Sequence, residues 1–344
     1  MDKFRIDGHK LEFHPERVAQ WLKGKDEWET AKSVYPIYVE VSPVGACNHS
    51  CSFCGIDYIL EANRKAGKYP QLDGTLLRER LREMASLGVK SVMFAGEGEP
   101  LLHKEINSTT LAAAAVMDVA FTTNGVLLDK LEMLPLCKWV KVSVNAGRKE
   151  TYEKVHKARS KDWEKVWTNL SQAVRRKGDC TIGVQMVCLP ENAGEEVELQ
   201  ARCDDIGIDY LVLKPYSQHK FSINKLDYKP ITLHGGKNVV IREEAIKTEK
   251  HEYDKCNATP FFWAYVMASG EVYSCSAYLL DERFRLGNIA DQNFQSIWEG
   301  ERRKANWELV TQHLDIRECR VNCRMDKANR YLADFGNVPH VNFV

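Results

Sequence analysis

A chain of 344 residues exceeds one small core and fits a catalytic domain of about 200–250 residues with a smaller appendage. Its 48 basic and 48 acidic residues cancel, and no Lys and Arg run is long enough to form a basic arm, so nucleic acid is not an expected partner. No apolar stretch of about 18 residues occurs, nor an N-terminal apolar core of about 7–15, so no membrane partner is expected and the chain reads as cytoplasmic.

Residues 1–35 read as an N-terminal extension. "IYVEVS" (37–42) is a predicted strand that runs directly into "GACNHSCSFCGIDY" (45–58). "LLRERLREMASLG" (76–88) then carries Leu77, Leu81, Met84 and Leu87 at helical spacing and stops at a glycine. The alternation continues: strand 89–96, helix 105–117, strand 119–125, helix 127–134, strand 139–146, helix 162–178, strand 181–189, helix 195–207 and strand 209–217. Six strands separated by helices imply right-handed crossovers and a parallel sheet. The fold class is α/β, a partial (βα)6 TIM-like barrel over residues 36–217, with its site at the C-terminal ends of the strands. Beyond Ser217 the alternation stops: 218–255 reads as a connector, 256–330 as a small cysteine-rich domain and 331–344 as a tail.

Eleven cysteines in such a chain are ligands or redox groups rather than paired disulfides, and the odd count agrees. Cys47, Cys51 and Cys54 form one group and Cys256, Cys275, Cys319 and Cys323 another, while Cys137, Cys180, Cys188 and Cys203 are scattered. Thiolates select zinc, Cu(I) or iron–sulfur clusters. The first group has one ligand too few for a closed tetrahedral site. Either His49 completes a zinc site, or a four-iron cluster sits on three cysteines with one iron open.

The spacing C-x3-C-x2-C, with Phe53 before the last cysteine and the whole loop after the first barrel strand, resembles the cluster loop of the radical S-adenosylmethionine (SAM) enzymes over roughly residues 36–217. The resemblance implies a [4Fe-4S] cluster on Cys47, Cys51 and Cys54, whose open iron chelates SAM. It also implies reductive cleavage of SAM to a 5′-deoxyadenosyl radical that abstracts a substrate hydrogen. Within "FAGEGEPLLH" (94–103), Glu99 corresponds to the acid that holds the SAM amino group, with Gly96 and Gly98 permitting close backbone approach. Asn124, Ser143 and Asn145 fall at strand ends where the family contacts the ribose and methionyl parts, and Gln185, beside Val184, falls near the adenine position. Lys157 and Arg159 follow the fourth strand, where a basic residue would pair with the SAM carboxylate or simply lie on a solvated helix face.

The second group, C-x13-G-x4-C followed by "CRVNCRMD", resembles the SPASM and twitch extensions of that family, with "SGEVYSC" (269–275) as a β-hairpin. Four ligands, against seven in a full SPASM domain, imply one closed auxiliary [4Fe-4S] cluster that passes electrons, or a zinc site. Cys188, at the end of the fifth strand, is expected to look into the barrel mouth, where radical SAM epimerases use a thiol to return hydrogen. Lys214, Tyr216 and His219 are expected at the same mouth. The expected activity is dehydrogenation or epimerisation of a small polar, carbohydrate-like molecule such as a sugar, aminocyclitol or nucleotide sugar, served by a reducing partner such as flavodoxin or ferredoxin. The short segment before the first strand favours that substrate class over the alternative, a peptide- or protein-modifying maturase.

Overall fold

The structure, a computed structural model, describes residues 2–216, 220–226, 236–242, 253–319, 323–335, 338–340 and 342–343. Six parallel strands lie side by side in chain order: β1 (Tyr38–Val41), β2 (Ser91–Phe94), β3 (Asp118–Thr123), β4 (Trp139–Ser143), β5 (Thr181–Cys188) and β6 (Tyr210–Pro215). Their outward side chains, among them Val39, Val41, Phe94, Phe121, Val140, Val142, Ile182 and Leu211, form one apolar layer with the crossover helices. That layer is the main core, as the right-handed βα connections require.

Four further strands extend this sheet beyond the six expected. β7 (Val239–Ile241) arises inside the segment read as a connector and pairs parallel to β6, with Leu211 opposite Val239. β8 (Trp263–Val266) pairs parallel to β1, with Tyr38 opposite Trp263, and continues antiparallel into β9 (Glu271–Tyr273) and β10 (Arg285–Asn288). The hairpin of the cysteine-rich segment is therefore continuous with the barrel sheet.

The stretch 127–134, expected as a helix, forms two short 3-10 turns, Leu128–Lys130 and Leu134–Leu136. Leu128, Leu131 and Leu134 recur every third residue and are all fully buried, which is 3-10 spacing, and Pro135 has no amide to continue an α-helix.

The N-terminal extension forms a second core with the C-terminal segment. Val18, Trp21, Trp28, Val34 and Ile37 pack with Phe261, Phe262, Trp307, Ala328 and Leu332. The last two belong to helix Asp326–Asp334, which runs across the boundary expected at residue 330. At the centre Arg303 is fully buried, lies 4.1 Å from the Trp298 ring centroid, and donates to the carbonyls of Trp298 (2.9 Å), Pro260 (3.1 Å) and Ala31 (3.3 Å). Desolvation pulls its pKa down to about 9. Arg303→Met keeps the volume and orphans these carbonyls, so a stability loss of about 3–5 kcal/mol is expected in denaturant titration.

Candidate functional site

The C-terminal ends of the barrel strands surround a cavity of about 380 Å³. Cys47, Cys51 and Cys54 line it, on a loop that leaves β1 and closes on itself through Cys54 N–H to Cys51 O at 3.2 Å. The loop is docked by backbone bonds to helix Lys149–His156, Ser52 N–H donating to Val155 O at 2.9 Å and Ser50 N–H to His156 O at 3.2 Å. Burial pushes the Cys47 thiol up to about 12 and the Cys54 thiol up to about 11, and lifts Cys51 well above its ordinary range, where both neighbours raise it further. Thiols so placed ionise together only around a cationic centre, so the donor set fits a cluster held by three cysteines.

His156 is a contact the sequence reading missed. Its Nε2–H donates to Val144 O at 2.9 Å, and its Nδ1 lies 3.2 Å from Cys51 Sγ. Burial pulls its pKa down to about 3, so the ring is neutral. His49, the alternative fourth ligand, places Nε2 3.4 Å from Asp162. Phe53 lines the cavity and meets the His156 ring edge-on at 5.5 Å.

The segment after β2 packs directly on the cysteine loop. A Cβ at Gly98 would come within 2.2 Å of Ala46 O and 2.4 Å of Val44 O, so the close approach that needs a glycine here is to the loop's own backbone. Gly96, at φ +114°, leaves no room for a side chain beside Ser42 and Tyr265. Glu99, 2% exposed, accepts from Thr123 Oγ1 (2.6 Å), Asn124 N–H (2.8 Å) and Leu101 N–H (3.2 Å). Burial raises its carboxyl to about 6, opposed by these bonds. It ties the loop after β2 to the loop after β3 and keeps an edge on the cavity.

Asn124, Ser143, Asn145 and Gln185 all line the same space. Asn124 Nδ2 donates to Asn48 Oδ1 at 2.7 Å, linking the cysteine loop to β3. Asn145 sits at φ +57°, a conformation Asn tolerates better than most residues, and its Oδ1 accepts from Val187 N–H at 2.7 Å. Gln185 Nε2 donates to Ser143 Oγ at 3.4 Å. Lys157 and Arg159 are absent from the lining, and Arg159 is solvated and lies 3.7 Å from Asp162.

Cys188 corrects the sequence expectation. Along β5, Gln185 and Val187 face the cavity, so Val184, Met186 and Cys188 point the other way, into the layer beneath the helices. Burial lifts the Cys188 thiol to about 12, and it is not part of the cavity lining. Lys214 and Tyr216 do line the cavity; His219 lies outside the described residues.

A second wall was not foreseen. Glu40 from β1, Met93 from β2, Lys141 from β4, Tyr265 from β8 and Arg324, next to Cys323, line the cavity with Lys214 and Tyr216. Arg324 ion-pairs with Glu40 and lies 5.0 Å from the Trp263 ring centroid. Strand polarity was the available signal. Tyr38, Glu40 and Ser42 alternate with Val39 and Val41, and Trp139, Lys141 and Ser143 with Val140 and Val142. Parallel strands buried on both faces read as continuous apolar runs, so charges on one face mark a hollow interior.

Beside this wall Cys256, Cys275, Cys319 and Cys323 line a smaller cavity of about 40 Å³ with Trp263, Tyr278 and Phe284. Burial raises the Cys275 thiol, and Cys323, Cys256 and Cys319 each raise it more, so all four thiols converge. Four sulfurs form a closed donor set, fitted to a cluster without an open iron. Arg324 and Ser276 line both cavities.

Glu97, 1% exposed, reaches from the same β2 loop to the β8–β9 turn, where it accepts from Ala268 N–H at 3.2 Å, while its other carboxylate oxygen has no partner among the described residues. Burial lifts its pKa to about 8. Folding therefore takes up a proton between the unfolded value near 4.5 and about 8, and stability falls as pH rises through that window. Glu97→Gln should flatten this slope and raise stability at pH 8 by a few kcal/mol, read from denaturation at pH 5 and pH 8.

Comparison with known proteins finds two family models along the chain. The model of the radical SAM superfamily matches residues 41–201, and that of SPASM, an iron–sulfur cluster-binding domain, matches 256–324. The GTP 3′,8-cyclase of Microcystis aeruginosa is 31% identical over 174 residues, 47% of this chain and 50% of the relative. That of Chlorobaculum tepidum is 35% identical over 96 residues, 27% of each chain. The chain thus spans at most about half the length of these curated relatives. Among solved structures, Streptococcus suis SuiB bound to S-adenosylmethionine superposes with a TM-score of 0.62 at 18% identity, covering 78% of this chain and 66% of SuiB. Native anSMEcpe with bound AdoMet gives 0.58 at 18%, covering 88% and 100%. At these identities the likeness is one of fold.

Proposed function

Because this chain belongs to the radical SAM superfamily and carries a SPASM iron–sulfur domain behind its barrel, we propose that it dehydrogenates a small polar, carbohydrate-like substrate held inside the barrel. Its cofactors are a [4Fe-4S] cluster with SAM at the barrel mouth and an auxiliary cluster in the C-terminal segment. When bound, these groups supply one-electron chemistry: reductive cleavage of the SAM sulfonium, removal of a hydrogen atom from a substrate C–H bond, and storage of an electron.

The residues of the chain do the rest. We assign Cys47, Cys51 and Cys54 to the first cluster and Cys256, Cys275, Cys319 and Cys323 to the second. Glu99 is assigned to the SAM amino group, with Asn124, Ser143, Asn145 and Gln185 as polar contacts along SAM. Thr123 and the Asn124 amide hold the Glu99 carboxylate in place, so it meets a ligand without reorganisation. Segment 220–226 borders the loop: Ser222 Oγ donates to Cys54 O at 3.4 Å, and Asp57 accepts from the Ile223 and Asn224 amides at 2.9 and 2.7 Å. Those bonds brace the cysteine loop.

One observation carries the reading: a single cavity is lined both by the three cysteines with Glu99 and by charged and tyrosine side chains, Glu40, Lys141, Tyr216, Tyr265 and Arg324. Dehydrogenation is favoured over epimerisation because Cys188, the thiol considered for returning hydrogen, faces away from the cavity, while the auxiliary cysteines lie beside it. The test is anaerobic incubation of the cluster-loaded enzyme with SAM, a reductant and panels of sugars, aminocyclitols, nucleotide sugars and peptides. A substrate-dependent rise in 5′-deoxyadenosine and a product two hydrogens lighter support it. A product of unchanged mass with solvent hydrogen at one carbon would favour epimerisation, and turnover confined to the peptide panel would favour a maturase.

A further inference from the structure

We propose that Lys141 and Arg324 form a recognition site for an oxyanion, a phosphate or carboxylate group on the substrate. The inference rests on the barrel cavity being the substrate chamber, and it narrows the substrate to an acidic or phosphorylated small molecule.

The charges on the cavity lining do not balance locally. On the wall between β1 and β4, Lys141 and Arg324 face it as cations, with Glu40 as the carboxylate, and Glu99 lies at the mouth. Both oxygens of Glu99 already accept bonds from Thr123, Leu101 and Asn124. Glu40 is bound to Arg324 and lies 3.3 Å from the Tyr38 hydroxyl. Lys141 has no hydrogen bond and no ion pair among the described residues, although it stands on a central strand with its side chain inside the barrel.

An ammonium in that position is costly. Desolvation pulls the Lys141 pKa down to about 8, and the Arg242 and Arg324 charges pull the same way, with only Glu40 opposing. A structural lysine would have been given a carboxylate or a ring of carbonyls, as Arg303 was. Here the Trp139 ring, with its centroid 6.0 Å from Nζ, and the Glu40 charge offset only part of the desolvation, and the group projects into the cavity.

Arg324 supplies the second half. Its guanidinium is oriented by Glu40 on one side and by the Trp263 ring at 5.0 Å, and its planar fork presents further N–H donors. Glu40 cancels only one of the positive charges on this wall. An oxyanion would satisfy Lys141, balance the wall, and anchor the substrate next to the residue that follows auxiliary ligand Cys323.

The test uses the cluster-loaded protein, anaerobically, with inorganic phosphate, acetate and chloride as probes at matched ionic strength. Lysines are acylated with acetic anhydride and followed by peptide mass spectrometry, exposed Lys104 serving as internal reference. At about ten times its dissociation constant, a bound probe slows Lys141 acylation about tenfold and leaves Lys104 unchanged. Protection by phosphate alone identifies a phosphorylated substrate, and protection by acetate alone a carboxylate.

Lys141→Met provides an independent reading. It should melt higher than wild type without probe, because a half-buried cation with no ion pair among the described residues has been removed, and should lose the thermal shift that the effective probe gives wild type. No protection by either anion, or an undiminished thermal shift in the variant, overturns the site. The SAM-dependent change in the paramagnetic signal of wild type is recorded on the same sample. Its absence would count against the radical reading itself, separately from the anion result.

Discussion

Gly98→Ala is expected to abolish SAM cleavage and to remove about four irons per chain, a large effect for one methyl group. The added carbon would overlap Ala46 O at 2.2 Å and Val44 O at 2.4 Å, both backbone atoms at the start of the cysteine loop, so no side-chain rotation relieves the clash. Ala46 O also accepts the Glu99 amide at 2.8 Å, and displacing it moves Glu99 and the loop together. Overpacking of this kind costs about 1–3 kcal/mol, enough to disrupt a loop whose three thiols must converge. Gly55→Ala is the control: it lies beside Cys54, yet an added Cβ there meets nothing within 4 Å, and iron content should stay at the wild-type value. Iron quantitation and 5′-deoxyadenosine release read both variants.

Joint replacement of Cys319 and Cys323 by Ala should separate two activities. Iron falls from about eight to about four per chain, and SAM cleavage at the barrel mouth persists while substrate oxidation stops. The separation follows from the two donor sets lying in different cavities that, among the described residues, share Ser276 and Arg324. Product formation at the wild-type rate in this variant would contradict the role given to the second cluster.

Much of this was legible in the residues. The six βα units stood out because β-branched runs alternate with helical periods. The cysteine spacings located both donor sets, and "FAGEGEPLLH" located Glu99. Other features were hidden for identifiable reasons. β7 spans only Val239–Ile241 and owes its conformation to pairing with β6, which no local pattern encodes. β8 joins β1 across more than two hundred residues of chain, so its docking is tertiary. His156 looked like one more polar residue at a helix end, and only the fold brings its Nδ1 to 3.2 Å from Cys51. Cys188 and Lys141 were decidable in principle. Period-two alternation along β5 puts Cys188 with Val184 and Met186, and the same rule along β4 puts Lys141 with Ser143 inside the barrel.

The most direct measurement is anaerobic reconstitution with iron and sulfide, followed by iron quantitation and paramagnetic resonance with and without SAM. It is run on wild type and on a variant with Cys47, Cys51 and Cys54 all changed to Ala. About eight irons per chain are expected, with one cluster signal that shifts on adding SAM and vanishes in the variant while the second remains. A wild-type spectrum unmoved by SAM would contradict that expectation.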